Sequence, residues 1–132
     1  MKKLLLFLFL LIPGLSKSQS LFGYNPSEVR EKYPDVDWHY DKYGDAKDLL
    51  VMYYDNESMR VMYFFNYSNV STGTAIVPKN KGTLQWLIET YNNRYVILDN
   101  THWKYYDDGS VYKCTLDQTS DGRYYFDWVI EE

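Results

Sequence analysis

His102–Ile130 reads HWKYYDDGSVYKCTLDQTSDGRYYFDWVI, and this stretch decides the fold. Its Asp-Gly pair is the one that two-residue β-hairpin turns prefer. Apolar residues alternate with polar ones on both sides of that pair, which is typical of strands with one covered face. We therefore predict three antiparallel strands, at His102–Asp107, Ser110–Leu116 and Arg123–Ile130.

The register of these strands follows from two turns. The Asp-Gly turn pairs Trp103 with Cys114, and a loop over 119–121 pairs Cys114 with Phe126. Both turns place apolar side chains on the same face, and such agreement between independent local signals favours a real sheet. The predicted apolar face comprises Trp103, Tyr105, Tyr112, Cys114, Leu116, Tyr124, Phe126, Trp128 and Ile130.

The opposite face of the meander is half aromatic and half charged, and it provides the main functional lead. Exposed Tyr side chains anchor protein partners at interface hot spots, and they also stack on sugar rings. The alternative is that these rings pack under a helix from the first half of the chain. The candidate binding residues are Tyr63, Lys104, Tyr106, Lys113, Tyr125 and Asp127.

Two helices are predicted before the meander. Asn25 and Pro26 suit the N-cap and the first turn of a short helix, which Pro34 ends. A longer helix follows from apolar residues at i, i+3, i+4 and i+7, which lie on one face of a 3.6-residue period. Those residues are Leu84, Leu87, Ile88 and Tyr91.

Further strands are predicted around the helices. Asp48–Tyr54 and Arg60–Tyr67 contain consecutive apolar residues, so we expect central strands covered on both faces. Other strands are expected at Trp38–Tyr43, Thr74–Val77 and Tyr95–Leu98. The predicted class is α+β: an antiparallel β-meander sheet packed against one longer helix, with a short N-terminal helix.

The N-terminus carries the pattern of a signal peptide. Lys2-Lys3 precedes an unbroken apolar run at Leu4–Ile12, and a helix breaker and small polar residues follow. The apolar run is shorter than the roughly 20 residues that cross a bilayer. We expect cleavage near Ser18-Gln19, a secreted or periplasmic location, and no transmembrane segment after cleavage. The predicted units are a signal peptide at 1–18 and a single domain at 19–132.

Composition restricts the classes of partner. Without residues 1–18 the chain has 114 residues, and 11 basic against 18 acidic residues give a formal charge of −7. That length suits one domain. An acidic surface repels phosphate backbones, so nucleic acid is not expected as a partner. Cys114 is the only cysteine and has no intramolecular disulfide partner, so we expect it in the core.

No catalytic residue, metal site or cofactor is expected. His39 and His102 lie far apart and lack the spacings of zinc sites. The segment 117–122 lacks the alternating ligands of a calcium loop, and a hairpin turn explains it better. His102 and Cys114 are predicted on opposite faces of the meander, which argues against a nucleophile–base pair.

A family resemblance lies near the start of the mature chain. The run Gly23-Tyr24-Asn25-Pro26-Ser27-Glu28-Val29, then Tyr33-Pro34, precedes a strand containing Trp38 and Tyr40. This opening resembles that of BamE-type (SmpA/OmlA) domains, and the related β-lactamase-inhibitor-protein-like fold repeats such a helix-plus-meander unit twice. The resemblance implies a small α+β envelope domain that works by protein contacts. The chain differs from that family in lacking its lipid-bearing cysteine and in having Tyr33 where Gly is usual.

The sequence predicts a class of function. We expect an exported, non-enzymatic binding or scaffolding protein that acts through contacts with another envelope or extracellular protein. One alternative is a glycan-binding module that uses exposed Tyr on the sheet face, and another is a hydrolase with an unrecognised site. Internal duplication also stays open, since Trp38–Gly44 loosely echoes Trp103–Gly109.

Overall fold

A computed structural model describes residues 21–107 and 109–131. All eight of its strands form one antiparallel sheet with the order β1-β2-β3-β4-β8-β7-β6-β5. The elements are α1 (Pro26–Lys32), β1 (His39–Tyr43), β2 (Leu49–Asp55), β3 (Met59–Phe65), β4 (Ser71–Pro78), α2 (Lys81–Arg94), β5 (Val96–Asp99), β6 (His102–Asp107), β7 (Ser110–Gln118) and β8 (Tyr124–Glu131).

The predicted α+β class is wrong, because strands dominate the molecule. The described residues are 49% strand and 19% helix. The individual helices and strands lie close to where the sequence predicts them. Their assembly differs, because β4 pairs with β8 and so joins two four-stranded meanders into a single wide sheet.

Both helices begin at a capping side chain. In α1 the backbone N–H of Glu28 donates to Asn25 Oδ1 (2.9 Å), and the N–H of Asn25 donates to Glu28 Oε1 (3.0 Å). This reciprocal pair is a capping box, and it confirms the predicted start of the helix. In α2 the N–H of Thr83 donates to Asn80 Oδ1 (2.8 Å).

The predicted register is confirmed at the first hairpin of the meander and shifted at the second. Trp103 lies opposite Cys114 as expected. Cys114, however, lies opposite Trp128 and not Phe126. Gly122, at φ +91°, adopts the left-handed conformation in this turn. The centre of the loop therefore lies one residue later in the chain than predicted. The pairing shifts by two, so every side chain keeps its predicted face.

The core lies on one face of the sheet, which we call the covered face. Both helices and the segment before α1 pack on it. Cys114 and Trp128 are fully buried there, as predicted, and α2 contributes Leu87 and Tyr91. The largest fully buried side chains are Trp103, Trp128, Tyr54, Tyr63, Tyr91, Tyr112, Phe65, Phe126, Leu21, Met52 and Met59.

The other face, here the uncovered face, has no helix over it within the described residues. Side chains of β3 alternate regularly between buried and half-buried, and Met62 and Phe64 are among the half-buried ones. The expectation that β3 is covered on both faces is therefore wrong, because its consecutive apolar residues serve two surfaces, one in the core and one open. On β2, by contrast, the neighbours Val51 and Met52 point to opposite faces and are both buried. The centre of the uncovered face comprises Met62, Phe64, Gly73, Ala75, Asp127 and Val129.

The chain order contains two successive units of one helix and four strands. In the sheet they are joined where β4 pairs with β8, and on the covered face the ring of Phe22 from the first unit stacks on Tyr112 of the second. The segments that echo one another in sequence do not occupy equivalent places, because Trp38–Gly44 contains β1 whereas Trp103–Gly109 contains most of β6.

Helices in the described ranges are too short or too polar to cross a membrane. The predicted signal peptide at 1–18 and its cleavage site near Ser18-Gln19 lie outside the described residues. The secreted or periplasmic location therefore stays a prediction.

Candidate functional site

Five of the six predicted binding residues lie together on the uncovered face. They are Lys104, Tyr106, Lys113, Tyr125 and Asp127. Tyr106 is 58% exposed, and the other four are half-buried. Since these side chains come from β6, β7 and β8, the meander alone places them on one surface.

Tyr63 is the exception and requires a correction. Its side chain is fully buried on the covered face, where its ring centroid is 5.9 Å from that of Trp38. The alternative that the candidate rings are covered is therefore true of Tyr63. Apolar residues occupy both faces of β3, so the sequence pattern does not show which of them faces the core.

A groove of about 660 Å³ lies over β3, β4 and β8 on the uncovered face. The central strand presents Ala75 here, and the larger side chains of Met62, Phe64, Tyr125 and Asp127 stand on either side of it. The groove exists because a small residue at the sheet centre is flanked by larger ones. Its floor is mostly apolar.

The cations that line the groove are already paired with carboxylates. Arg60 Nε lies 2.8 Å from Asp55 Oδ1, and Lys79 Nζ lies 3.4 Å from the same oxygen. Arg123 Nε lies 3.1 Å from Asp121 Oδ2. The hydrogen bond from Arg60 holds the pKa of the Asp55 carboxyl below its usual value. Because Arg60 and Lys79 share the carboxylate of Asp55, these three cations and two carboxylates carry a formal charge of +1 at the groove edge.

Asp127 differs from these paired carboxylates. It is half-buried in the groove, beside Ala75 on one strand and Thr115 on the other. Its carboxylate makes no hydrogen bond or ion pair with any described residue. Burial raises the pKa of the Asp127 carboxyl, and the negative charge of Asp117 raises that pKa further.

Asp127→Asn is expected to make the protein more stable than wild type at pH 7. The pKa of Asp127 is higher folded than unfolded, so stability falls as pH rises from about 4, the usual Asp pKa, through the raised value. The variant has no carboxyl group to ionise, so it does not lose this stability. Its excess stability over wild type should therefore disappear in acid. Urea unfolding across pH 3–8 measures the difference.

Asp121→Asn is the matched control for this prediction. The pKa of the Asp121 carboxyl is lowered, chiefly by the hydrogen bond from Thr119 Oγ1. Its charged form favours the folded state, so this variant should be less stable than wild type at pH 7 and equal to it in acid. An Asp127→Asn protein less stable than wild type at pH 7 would contradict a raised pKa for the Asp127 carboxyl.

The histidines are not arranged as in a hydrolase triad. His102 Nδ1 lies 2.8 Å from Asp99 Oδ1, and Thr101 Oγ1 lies 3.0 Å from the same Nδ1. A Ser–His–Asp triad uses the two ring nitrogens separately, one for the hydroxyl and one for the carboxylate. This cluster is a local turn between β5 and β6. His39 lies on β1, far across the sheet.

Cys114 and His102 lie on opposite faces of the sheet, as predicted, because Trp103 and not His102 is the cross-strand neighbour of Cys114. Burial raises the pKa of the Cys114 thiol, so the sulfur is a poor nucleophile at neutral pH. Within residues 21–107 and 109–131, no three His, Cys, Asp or Glu side chains are grouped to hold a metal ion.

Sequence reasoning missed the apolar floor of the groove. Met62, Phe64, Ala75 and Val77 line it. Their positions two apart in β3 and in β4 were a usable signal, since residues i and i+2 share a face of a strand. That face seemed covered only because the whole segment is apolar.

Comparison with known proteins assigns the chain to no family. No protein-family model, no curated protein and no solved structure matches it. The resemblance to BamE-type domains therefore stays a prediction that rests on residues 23–40.

Proposed function

We propose that this chain is an exported, non-enzymatic binding protein that holds a protein partner on the uncovered face of its sheet. The groove over β3, β4 and β8 carries the proposal, because it leaves Met62 and Phe64 partly open to solvent at the sheet centre. A partner that covers these side chains removes apolar surface from water, which favours association.

Exposed side chains next to the groove support a protein as the partner. Val129 on β8 is 38% exposed and lies directly opposite Gly73 of β4. Tyr106, at 58% exposed, lies further along the same face. Tyr is enriched among the residues that contribute most to protein interfaces. The contact surface thus extends beyond a small-molecule pocket.

Export is supported by the order of charge, apolar run and small residues in the first 18 positions. The partner is accordingly an envelope or extracellular protein. A glycan is the second candidate, and the exposed ring of Tyr106 is the observation that favours it, since sugars stack on such rings.

A photo-crosslinking amino acid placed at Met62 tests the proposal in cells that export the protein. We expect a discrete protein adduct from this position and none from Glu89, which is exposed on α2 on the opposite side of the sheet. Equal labelling from both positions, or no adduct from either, would overturn the protein-binding proposal. Binding of wild type on a glycan array without a protein adduct would favour the glycan.

Gly73→Leu is the matched blocking variant. A Cβ added at Gly73 meets only Trp128 O at 3.7 Å and Phe64 Cβ at 4.0 Å, which are ordinary contacts, and the rest of the leucine would extend over the uncovered face, so the variant is expected to fold. The leucine would fill the groove beside Ala75. The adduct from position 62 should be lost in this variant, while its thermal midpoint stays close to that of wild type.

A further inference from the structure

The carboxylate of Asp127 lies in the groove without an ion-pair or hydrogen-bond partner among the described residues. Met62, Ala75 and Asp127 lie side by side across β3, β4 and β8, so the carboxylate borders the apolar floor directly. A half-buried carboxylate without a hydrogen-bond donor is costly for the free protein. A bound group that supplies donors or positive charge would recover that cost.

The charges around the groove select among possible ligand groups. An anionic group would meet Asp127 and would find Arg60, Lys79 and Arg123 already engaged. A neutral apolar group would bury Asp127 further without pairing it. A cation is complementary, and the formal charge of −4 on the whole chain favours its approach at long range.

The apolar floor beside the carboxylate favours a cation at the end of a long side chain over a small inorganic cation. Lys and Arg lay their methylene stems on apolar surface while the charged end reaches a polar group. The half-buried side chains of Met62 and Phe64 provide that surface, and Asp127 lies at its border. A small inorganic cation would leave the apolar floor uncovered.

Resting on the proposed function, we propose that the groove binds a lysine or arginine side chain of the partner protein. The stem packs over Met62 and Ala75, and the charged end pairs with Asp127. Neighbouring apolar residues of the partner segment cover Phe64. Arg is favoured where both carboxylate oxygens are reached, because its guanidinium forms two parallel hydrogen bonds.

Titration with two short peptides tests this inference, with amide resonances of β4 and β8 as the readout. The first peptide is acetyl-Gly-Phe-Arg-Phe-Gly-amide, and the second has citrulline, which is uncharged and nearly isosteric, in place of Arg. We expect the Arg peptide to bind wild type at least roughly tenfold more tightly than the citrulline peptide. Equal binding of the two peptides, or no shifts with either at millimolar concentration, would overturn the inference.

Variants of the protein show whether Asp127 is the group that binds the Arg peptide. Asp127→Asn should reduce binding of the Arg peptide to the level of the citrulline peptide. Glu89→Gln, which removes the same charge from an exposed position on α2 across the sheet, should leave that binding unchanged. Unchanged binding by Asp127→Asn also overturns the inference.

The photo-crosslinking experiment separates failure of this inference from failure of the proposed function. If Asp127→Asn keeps the adduct from position 62 and Gly73→Leu loses it, the groove binds a protein by another group. The proposed function then stands and the basic side chain is excluded. If Gly73→Leu also keeps the adduct, the proposed function fails as well.

Discussion

Trp128→Ala is expected to lower the free energy of unfolding by about 3–5 kcal/mol. Trp128 is fully buried on β8 near the centre of the sheet. Its ring packs edge-on against Tyr91 and Tyr95, with ring centroids 5.3 and 5.1 Å away. Truncation leaves a cavity that these aromatic neighbours are too large to fill by small shifts. Urea unfolding of the variant measures the loss.

Lys113→Glu is the control on the adjacent strand. Lys113 lies on the uncovered face beside Lys104 and Val129, and it is half-buried. Reversal of its charge removes a like-charge neighbour pair, so stability should change by no more than about 0.5 kcal/mol. Equal losses in the two variants would mean that the two faces of the sheet are wrongly assigned.

Tyr91→Ala is expected to cost a similar amount, about 3–5 kcal/mol. Tyr91 is fully buried on α2, and its ring packs against Phe126 (5.0 Å between centroids) and Trp103 (5.7 Å) as well as Trp128. The side chain thus joins the longer helix to both β6 and β8. Its loss should therefore loosen α2 from the sheet, which helical circular dichroism during unfolding would report.

Two Tyr→Phe variants separate ring packing from hydroxyl bonding. Trp128 Nε1 donates to Tyr91 Oη at 3.2 Å, so Tyr91→Phe leaves a buried donor without an acceptor and should cost about 1–3 kcal/mol. Tyr63 Oη is buried and bonds to no described residue. Tyr63→Phe should therefore be neutral or stabilising. A Tyr63→Phe variant that loses as much stability as Tyr91→Phe would show that this hydroxyl has a partner.

The parts of the fold that local chemistry controls were predictable. The capping box at Asn25 and the helical period of Leu84–Tyr91 each act over a few residues, and both helices form where expected. The hairpin of β6 and β7 likewise has the predicted register. The face on which each side chain of β6, β7 and β8 lies was also predictable, because successive side chains of a strand point to opposite faces. An error of two residues in register does not change that face.

The assembly of the sheet was not predictable in the same way. Pairing of β4 with β8 brings Ile76 opposite Phe126, fifty residues later in the chain, and no local pattern specifies that contact. The class was therefore misjudged even though the helices and strands were found. The same limit applies to Tyr63, whose strand is apolar on both faces.

Part of the candidate site was predictable from the sequence and part was not. Asp127, Tyr125 and Tyr106 were placed on the correct face from alternation within the meander. The groove was not foreseen, because it requires β3 and β4 from the first half to lie beside β8. Its apolar floor and its carboxylate come from segments that only the complete sheet brings together.

The position of β8 also constrains how the molecule can fold. This strand comes last in chain order, yet it lies between β4 and β7 near the middle of the sheet. Contacts between residues distant in sequence form slowly, because a long loop must close first. Until β8 docks, β4 and β7 each present an unpaired edge, and such edges pair readily with other chains. Newly made molecules are thus most vulnerable to aggregation at the centre of the sheet, where the proposed binding groove lies.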